Sequence, residues 1–223
     1  MFQMNHALPI WAKGCEDEIN CRLQFRLTDI RGKAPVLHIA TSGTYQLFVG
    51  TKFVHYGPAR AGRGHFRVDT IDLSPYWTNR KPITVEVAGY NTENYYVMRQ
   101  TPFLQAELVD AAGGKLLSYT GDGKWEVIRT PGYVQRACRY SFQRPFVESY
   151  FIAPDHDDFK AGRTTAHPRL ELVTLPGGDL LERGVPYPEY EVRPAHMFSG
   201  GCLNSASDTF VTVHAPESTA RLI

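Results

Sequence analysis

Residues 89–100, GYNTENYYVMRQ, carry side chains of the types that bind saccharides. Proteins hold sugars with aromatic rings against their C–H faces and with amide or charged groups on their hydroxyls. The candidate carbohydrate-binding residues in this stretch are Tyr90, Asn91, Asn94 and Tyr95. Tyrosines more often bury the ring and hydrogen-bond the hydroxyl at a sheet edge, so a role in the core or at an interface is the competing and commoner interpretation.

Carboxylates are the second set of side chains that could do chemistry. Glycosidases need two carboxyl groups about 5–5.5 Å or about 6.5–9.5 Å apart, one of them kept protonated by its surroundings. Nothing in the sequence pairs any two of the candidates, which by residue type are Glu93, Glu107, Asp122, Glu148 and Glu171. Nucleophile-elbow, zinc-protease, phosphate-loop and C-x-x-C motifs are absent from the sequence, so no catalytic residue is assigned.

An acidic run, Asp155-His156-Asp157-Asp158, could gather oxygen ligands around Ca²⁺, because hard cations prefer several carboxylate and carbonyl oxygens. A solvated acidic loop after Pro154 explains the same residues without a metal, and we favour it. The sequence therefore predicts neither a metal site nor a cofactor.

Charge and hydropathy restrict the partners. The 24 basic and 23 acidic residues give a formal net charge of +1, which offers no field for nucleic acid or an anionic membrane. No apolar run approaches the length of a membrane span, and residues 1–11 lack a signal-peptide pattern. A cytoplasmic protein, or one whose leader has been removed, is expected. The four cysteines are Cys15, Cys21, Cys138 and Cys202. Cys15 and Cys21 are close enough in sequence for a disulfide, but four cysteines in 223 residues are ordinary for a cytosolic protein, so free thiols are favoured.

The elements that must position these residues are strands. In residues 21–29, Leu23, Phe25 and Leu27 alternate with Arg22, Gln24 and Arg26, which predicts a strand packed on one face and solvated on the other. Gly50-Thr51 predicts a two-residue hairpin turn. Further strands are predicted at 36–42, 83–89, 103–110, 115–119 and 124–129. The fold class is all-β, an antiparallel two-sheet sandwich of jelly-roll type.

Five phrases together resemble the N-terminal β-sandwich of bacterial α-L-rhamnosidase-like glycoside hydrolases. They are LFVGTKFVHYGPARAGRG, FRVDTIDLSPY, VEVAGYN, FLQAEL and RYSFQRPFVESY, which lie within 47–108 and 139–150, about half of the chain. The resemblance implies a galactose-binding-like jelly roll that accompanies the chemistry and does not perform it. In that family the acid and base lie on a helical barrel, which is absent from this sequence.

The resemblance also suggests how the chain is organised. Residues 1–130 are predicted to form the jelly roll, and residues 131–223 either complete it with further strands or start a second, smaller β unit. The glycine-rich segment GPARAGRG (57–64) carries Arg60 and Arg63 without an evident local partner, so they are candidates for the interface with a catalytic domain. Solvated arginines on a mobile loop are an equal alternative. Arg144 and Glu148 are predicted to form an ion pair at the sandwich edge.

Three functions remain open from the sequence. The first is a non-catalytic accessory sandwich that packs on a missing C-terminal catalytic domain and contacts carbohydrate. The second is a stand-alone carbohydrate-binding module with its site around residues 90–96. The third is a complete small hydrolase with an unrecognised carboxylate pair.

Overall fold

The computed structural model describes residues 1–78, 81–137, 141–144 and 146–190, and these residues form twelve strands and no helix. Within them, no helix has the length and apolar character that crossing a membrane requires. The strands are β1 (Ile10–Ala12), β2 (Cys21–Leu27), β3 (Pro35–Thr41), β4 (Thr44–Val49), β5 (Lys52–Gly57), β6 (His65–Asp72), β7 (Ile83–Gly89), β8 (Leu104–Asp110), β9 (Lys115–Tyr119), β10 (Trp125–Arg129), β11 (Leu172–Thr174) and β12 (Asp179–Glu182).

The strands form two sheets that pack face to face. The first has the order β11-β1-β8-β3-β6-β12, with β9 also paired to β8, and the second has the order β10-β2-β7-β4-β5. Strands β1 to β8 alone give β1-β8-β3-β6 against β2-β7-β4-β5, which is the strand order of a jelly roll. The predicted all-β sandwich is therefore confirmed. All pairings are antiparallel except that of β12 with β6.

The chain after residue 130 adds to the edges of the first sheet. Strand β11 pairs with β1, and β12 pairs with β6, so both lie in the same sandwich. Residues 191–223, which include Cys202, lie outside the described residues, as does Cys138. The boundary near residue 130 stays a prediction.

The core lies between the sheets and follows the alternation of the strands. Leu23, Phe25 and Leu27 of β2 are buried against the first sheet, as their spacing predicts. Trp11 of β1 is fully buried, with its ring 5.5 Å from that of Phe25 and its indole N–H donating to the carbonyl of Cys15 at 3.1 Å. Burial of such apolar faces supplies most of the stabilisation of a sandwich.

The polar face of β2 is not solvated, and here the prediction from alternation is wrong. Arg22, Gln24 and Arg26 are only 5%, 0% and 5% exposed. A later segment covers them: Arg22 pairs with Glu148 at 2.6 Å, and the guanidinium of Arg26 lies 4.2 Å from the centre of the Phe159 ring. Alternation reports polarity, and a polar face can still be buried when a distant segment supplies its partners.

Candidate saccharide-binding cleft

Two loops that are distant in sequence lie side by side at one end of the sandwich. They are the glycine-rich segment 57–64 and the tyrosine-rich segment 90–100, and between them is a cavity of about 450 Å³. We call this cavity the cleft. It is lined by residues 41–44, 56, 58–61, 65–67, 90–91, 94–98 and 100. Its volume falls within the usual range for small-molecule sites.

Direct contacts hold the two loops together. Arg63 donates from Nη2 to Glu93 Oε2 at 3.3 Å and from Nη1 to the carbonyl of Arg99 at 3.4 Å. The backbone N–H of Gly64 donates to Gln100 Oε1 at 2.9 Å. The sequence shows no partner for Arg60 or Arg63 nearby, and in the fold their partners come from a loop about thirty residues away: Glu93 for Arg63 and the Tyr96 ring for Arg60. Their place at a domain interface stays a prediction.

The turn between β3 and β4 forms the base of the cleft, and a close backbone approach shapes it. A Cβ on Gly43 would lie 1.9 Å from the carbonyl oxygen of Ala88, so only glycine fits there. Next to it, the hydroxyls of Thr44 and Tyr90 are 3.1 Å apart and hydrogen-bonded. Burial raises the pKa of the Tyr90 hydroxyl above its ordinary value. Tyr90 thus has a largely buried ring and a hydrogen-bonded hydroxyl, as expected for a tyrosine with a role in the core, although it also lines the cleft.

The two asparagines of the predicted site shape the loop backbone. Asn91 is 9% exposed and has a positive φ of 42°, and its Nδ2 donates to the carbonyl of Glu16 at 3.5 Å. Asn94 Oδ1 accepts the backbone N–H groups of Tyr96 and Val97 at 2.8 and 3.1 Å, which makes a turn closed by its own side chain. Their binding of carbohydrate stays a prediction.

Tyr95 and Tyr96 offer the accessible aromatic surface. Tyr95 is 76% exposed, and Tyr96, which the candidate residues did not include, is 39% exposed. The Tyr96 ring has the guanidinium groups of Arg60 at 5.7 Å and Arg144 at 4.8 Å from its centre. The predicted ion pair of Arg144 with Glu148 is wrong, because Glu148 pairs with Arg22 instead.

Arg67 of β6 lines the cleft and is held by carbonyl groups. Its Nε donates to the carbonyl of Arg60 at 2.9 Å, and its Nη1 donates to the carbonyls of Glu182 and Arg183 at 2.9 and 2.7 Å. These bonds join the glycine-rich loop to the end of β12. Sequence reasoning did not select Arg67, because the strand pairing that brings residues 182–183 to it is long-range.

Comparison with solved structures shows where this architecture occurs. A GH78 family rhamnosidase of Bacillus sp. GL1 matches with a TM-score of 0.67 at 24% identity, over 83% of this chain and 20% of its own. An α-L-rhamnosidase from Aspergillus terreus matches with a TM-score of 0.60 at 18% identity, over 80% of this chain and 22% of its own. The fold is that of a rhamnosidase β-sandwich region.

The resemblance inferred from the sequence is thus confirmed for the fold. The chain spans about a fifth of the length of the rhamnosidases it matches. No protein-family model matches it, and no curated protein matches it by sequence. A bacterial source stays a prediction, since one of the two matched rhamnosidases comes from Aspergillus terreus.

In this rhamnosidase-type sandwich, each candidate carboxylate is held by a contact of its own. Glu107 accepts the backbone N–H groups of His6 and Ala7 at 2.6 and 3.0 Å. Asp122 accepts the hydroxyl of Ser118 at 2.6 Å. The remaining three form ion pairs, Glu93 with Arg63, Glu148 with Arg22 and Glu171 with Lys13. In the described part of the chain, none of the five hydrogen-bonds to another of the five.

The acidic loop at 155–158 is neutralised by neighbouring cations. Asp157 lies 3.3 Å from Lys160, and Asp158 lies 2.5 Å from Arg163. These pairs use carboxylates that the calcium interpretation requires as ligands.

Two thiols lie close together, one in the loop after β1 and one at the start of β2. Cys15 and Cys21 are free and buried, as predicted, and burial raises the pKa of both. With Glu18 they form a group whose potential ligand atoms lie within 4.8 Å of one another. Arg129 donates to Cys15 Sγ at 3.2 Å and to Glu18 Oε1 at 2.5 Å, so a positive charge already occupies the position that a metal ion would need.

Proposed function

We propose that this chain is a non-catalytic accessory β-sandwich of an α-L-rhamnosidase-like glycoside hydrolase and that it binds a saccharide in the cleft. Its protein partner is a catalytic domain. The sandwich presents the sugar, and the chemistry takes place elsewhere in the parent enzyme.

The fold likeness supports the accessory role. The matched region is about a fifth of each rhamnosidase chain, so most of each of those enzymes lies outside it. Fold alone does not assign a function, and the proposal needs support from a site. The contacts of the candidate carboxylates supply part of that support. Glu107, for example, is 7% exposed and accepts two backbone N–H groups, an arrangement suited to holding residues 6–7 in place.

The observation that carries the proposal is the combination of surfaces in the cleft. The rings of Tyr95 and Tyr96 are accessible and lie beside polar groups of Gln100 and Arg67 around one cavity of about 450 Å³. A saccharide needs both, because its ring presents C–H faces and hydroxyl edges at once. Hydrogen bonds between the two loops, and from Arg67 to the glycine-rich loop, hold these groups in place without a ligand, which lowers the entropic cost of binding.

Replacing Tyr95 or Tyr96 by alanine should weaken saccharide binding by about three- to tenfold each, because an aromatic contact contributes about 0.5–1.5 kcal/mol. The measurement is calorimetric or NMR titration with the methyl glycosides of L-rhamnose, D-glucose, D-galactose, D-glucuronic acid and D-galacturonic acid. The tightest of the five then serves for all variants.

Phe151→Ala is the matched control, because Phe151 is 78% exposed, close to the 76% of Tyr95, and does not line the cleft. It should leave the affinity unchanged. Equal losses in Phe151→Ala and Tyr95→Ala, or no binding of any of the five glycosides, would contradict the proposed function.

A further inference from the structure

We infer that the saccharide is anionic, and that Arg60 and Arg67 bind a carboxylate on its ring. This inference rests on the proposed function and names the class of sugar that the cleft selects. A uronic acid residue combines the carboxylate that the arginines require with the C–H faces that Tyr95 and Tyr96 require.

The lining of the cleft carries positive charge. It contains Arg60, Arg67 and His65, and no aspartate or glutamate among the described residues. The chain as a whole is nearly neutral, with a formal net charge of +1, so the cleft departs from the rest of the surface. His65 lies 3.4 Å from Asp179, which faces it from outside the lining. The uncompensated charge therefore belongs to the two arginines.

Most arginines of the described residues pair with carboxylates, and the arginines of the cleft do not. Seven form such pairs: Arg22, Arg26, Arg63, Arg129, Arg163, Arg169 and Arg183. Of the six described arginines without a carboxylate partner, Arg60 and Arg67 line the cleft, Arg144 lies against the Tyr96 ring, and Arg31, Arg99 and Arg136 lie outside the lining. Arginines with unused donors at a concave aromatic surface are suited to a ligand that supplies the missing anion.

The guanidinium of Arg67 is oriented by the protein itself. Its Nε and Nη1 are fixed on three carbonyl oxygens, which leave its positive charge intact, and its Nη2 has no hydrogen-bond partner among the described residues. The guanidinium is thus held in place before any ligand arrives. Arg60 contributes the carbonyl that accepts Arg67 Nε, so its own side chain leaves the backbone at the same point of the loop. Guanidinium and carboxylate groups match in planar geometry and form strong charge-assisted bonds.

Two matched pairs of sugars test this inference. Methyl glucuronide and methyl glucoside differ only in a carboxylate against a hydroxymethyl group at C6, and methyl galacturonide and methyl galactoside differ in the same way. In at least one pair, the acid should bind at least about tenfold more tightly at low salt, and added salt should narrow the difference. The double variant Arg60→Gln, Arg67→Gln should abolish the preference, so that the acid and the neutral sugar of that pair bind with equal affinity.

The control removes two positive charges outside the lining. Arg31 and Lys115 are exposed, and the double variant Arg31→Gln, Lys115→Gln should keep the full preference for the acid. Equal affinities within both pairs, or a preference that only the control variant loses, would overturn the inference and leave the proposed function standing. If no methyl glycoside binds, the proposed function fails and the inference fails with it.

Discussion

Replacing Asp69 by alanine should lower the free energy of unfolding by about 3–5 kcal/mol, because it leaves buried polar and charged partners uncompensated. Asp69 is 0% exposed and accepts the Tyr45 hydroxyl at 2.5 Å and Arg183 Nη1 at 2.5 Å, and His55 Nε2 lies 3.7 Å away. These partners come from β4, β5 and the segment after β12. One carboxylate therefore ties both sheets to the chain that follows β12.

The measurement is urea unfolding of the wild type and the variant. Asp72→Ala is the control: Asp72 lies in the same strand but is exposed, and it accepts hydrogen bonds from the side chain of Ser74 and from its backbone N–H at 2.9 Å. It should cause a much smaller loss. Comparable losses of unfolding free energy in the two variants would contradict the role of Asp69 as the buried carboxylate that links both sheets to the segment after β12.

The stability difference should also depend on pH. Burial by itself would raise the pKa of Asp69, but interactions with His55, Tyr45 and Arg183 outweigh it and hold the pKa below its ordinary value. Because the folded-state pKa is depressed, the stabilisation is fully present above the ordinary aspartate range and is lost as the pH falls through the depressed value. The gap in unfolding free energy between the wild type and Asp69→Ala should therefore narrow as the pH falls below the ordinary aspartate range.

Replacing Glu86 by alanine should cost about 3 kcal/mol, because the buried guanidinium of Arg22 then loses a charge partner. The side chains of Glu86 and Arg22 are each 4% exposed, with Oε1 and Nη1 3.3 Å apart. Glu86 also accepts Gln24 Nε2 at 2.8 Å and the Tyr150 hydroxyl at 3.1 Å. The loss would be seen as a lower midpoint in urea.

Glu171→Ala is the matched control for this prediction. Glu171 forms a shorter ion pair, 2.8 Å from Lys13, but the two side chains are 67% and 59% exposed. Exposed pairs contribute about 0–1 kcal/mol, so the variant should be nearly as stable as the wild type. Similar small losses in both variants would mean that the polar face of β2 is solvated after all.

The contrast between these two glutamates shows what sequence alone can predict. Alternation in β2 correctly placed Leu23, Phe25 and Leu27 in the core and correctly indicated a sandwich, because successive side chains of a strand point to opposite faces of the sheet. The same alternation wrongly predicted that Arg22 and Gln24 are exposed to solvent, because the residues that cover them lie more than sixty residues away in sequence. The spacing of residues within one strand carries no information about distant segments that bury its polar face.

The residues of the cleft could likewise be predicted only in part, because some are neighbours in sequence and others are not. Tyr90, Asn91, Asn94 and Tyr95 lie in one short run, so composition was sufficient to select them together. The position of Arg67 depends on the pairing of β12 with β6, which brings the carbonyls of residues 182 and 183 to its guanidinium, and Arg60 contacts the Tyr96 ring of a loop that is distant in sequence. Only the folded chain brings those arginines to the tyrosines.

The central claim is that this sandwich accompanies the chemistry of a glycoside hydrolase and does not perform it. Its most direct test is to incubate the purified chain with aryl α-L-rhamnosides and other aryl glycosides and to measure the release of the aryl group. We predict no release above buffer, because each candidate carboxylate is committed to a contact of its own. Turnover above buffer that disappears when a single carboxylate is replaced, for example in Glu107→Gln or Glu148→Gln, would contradict the account.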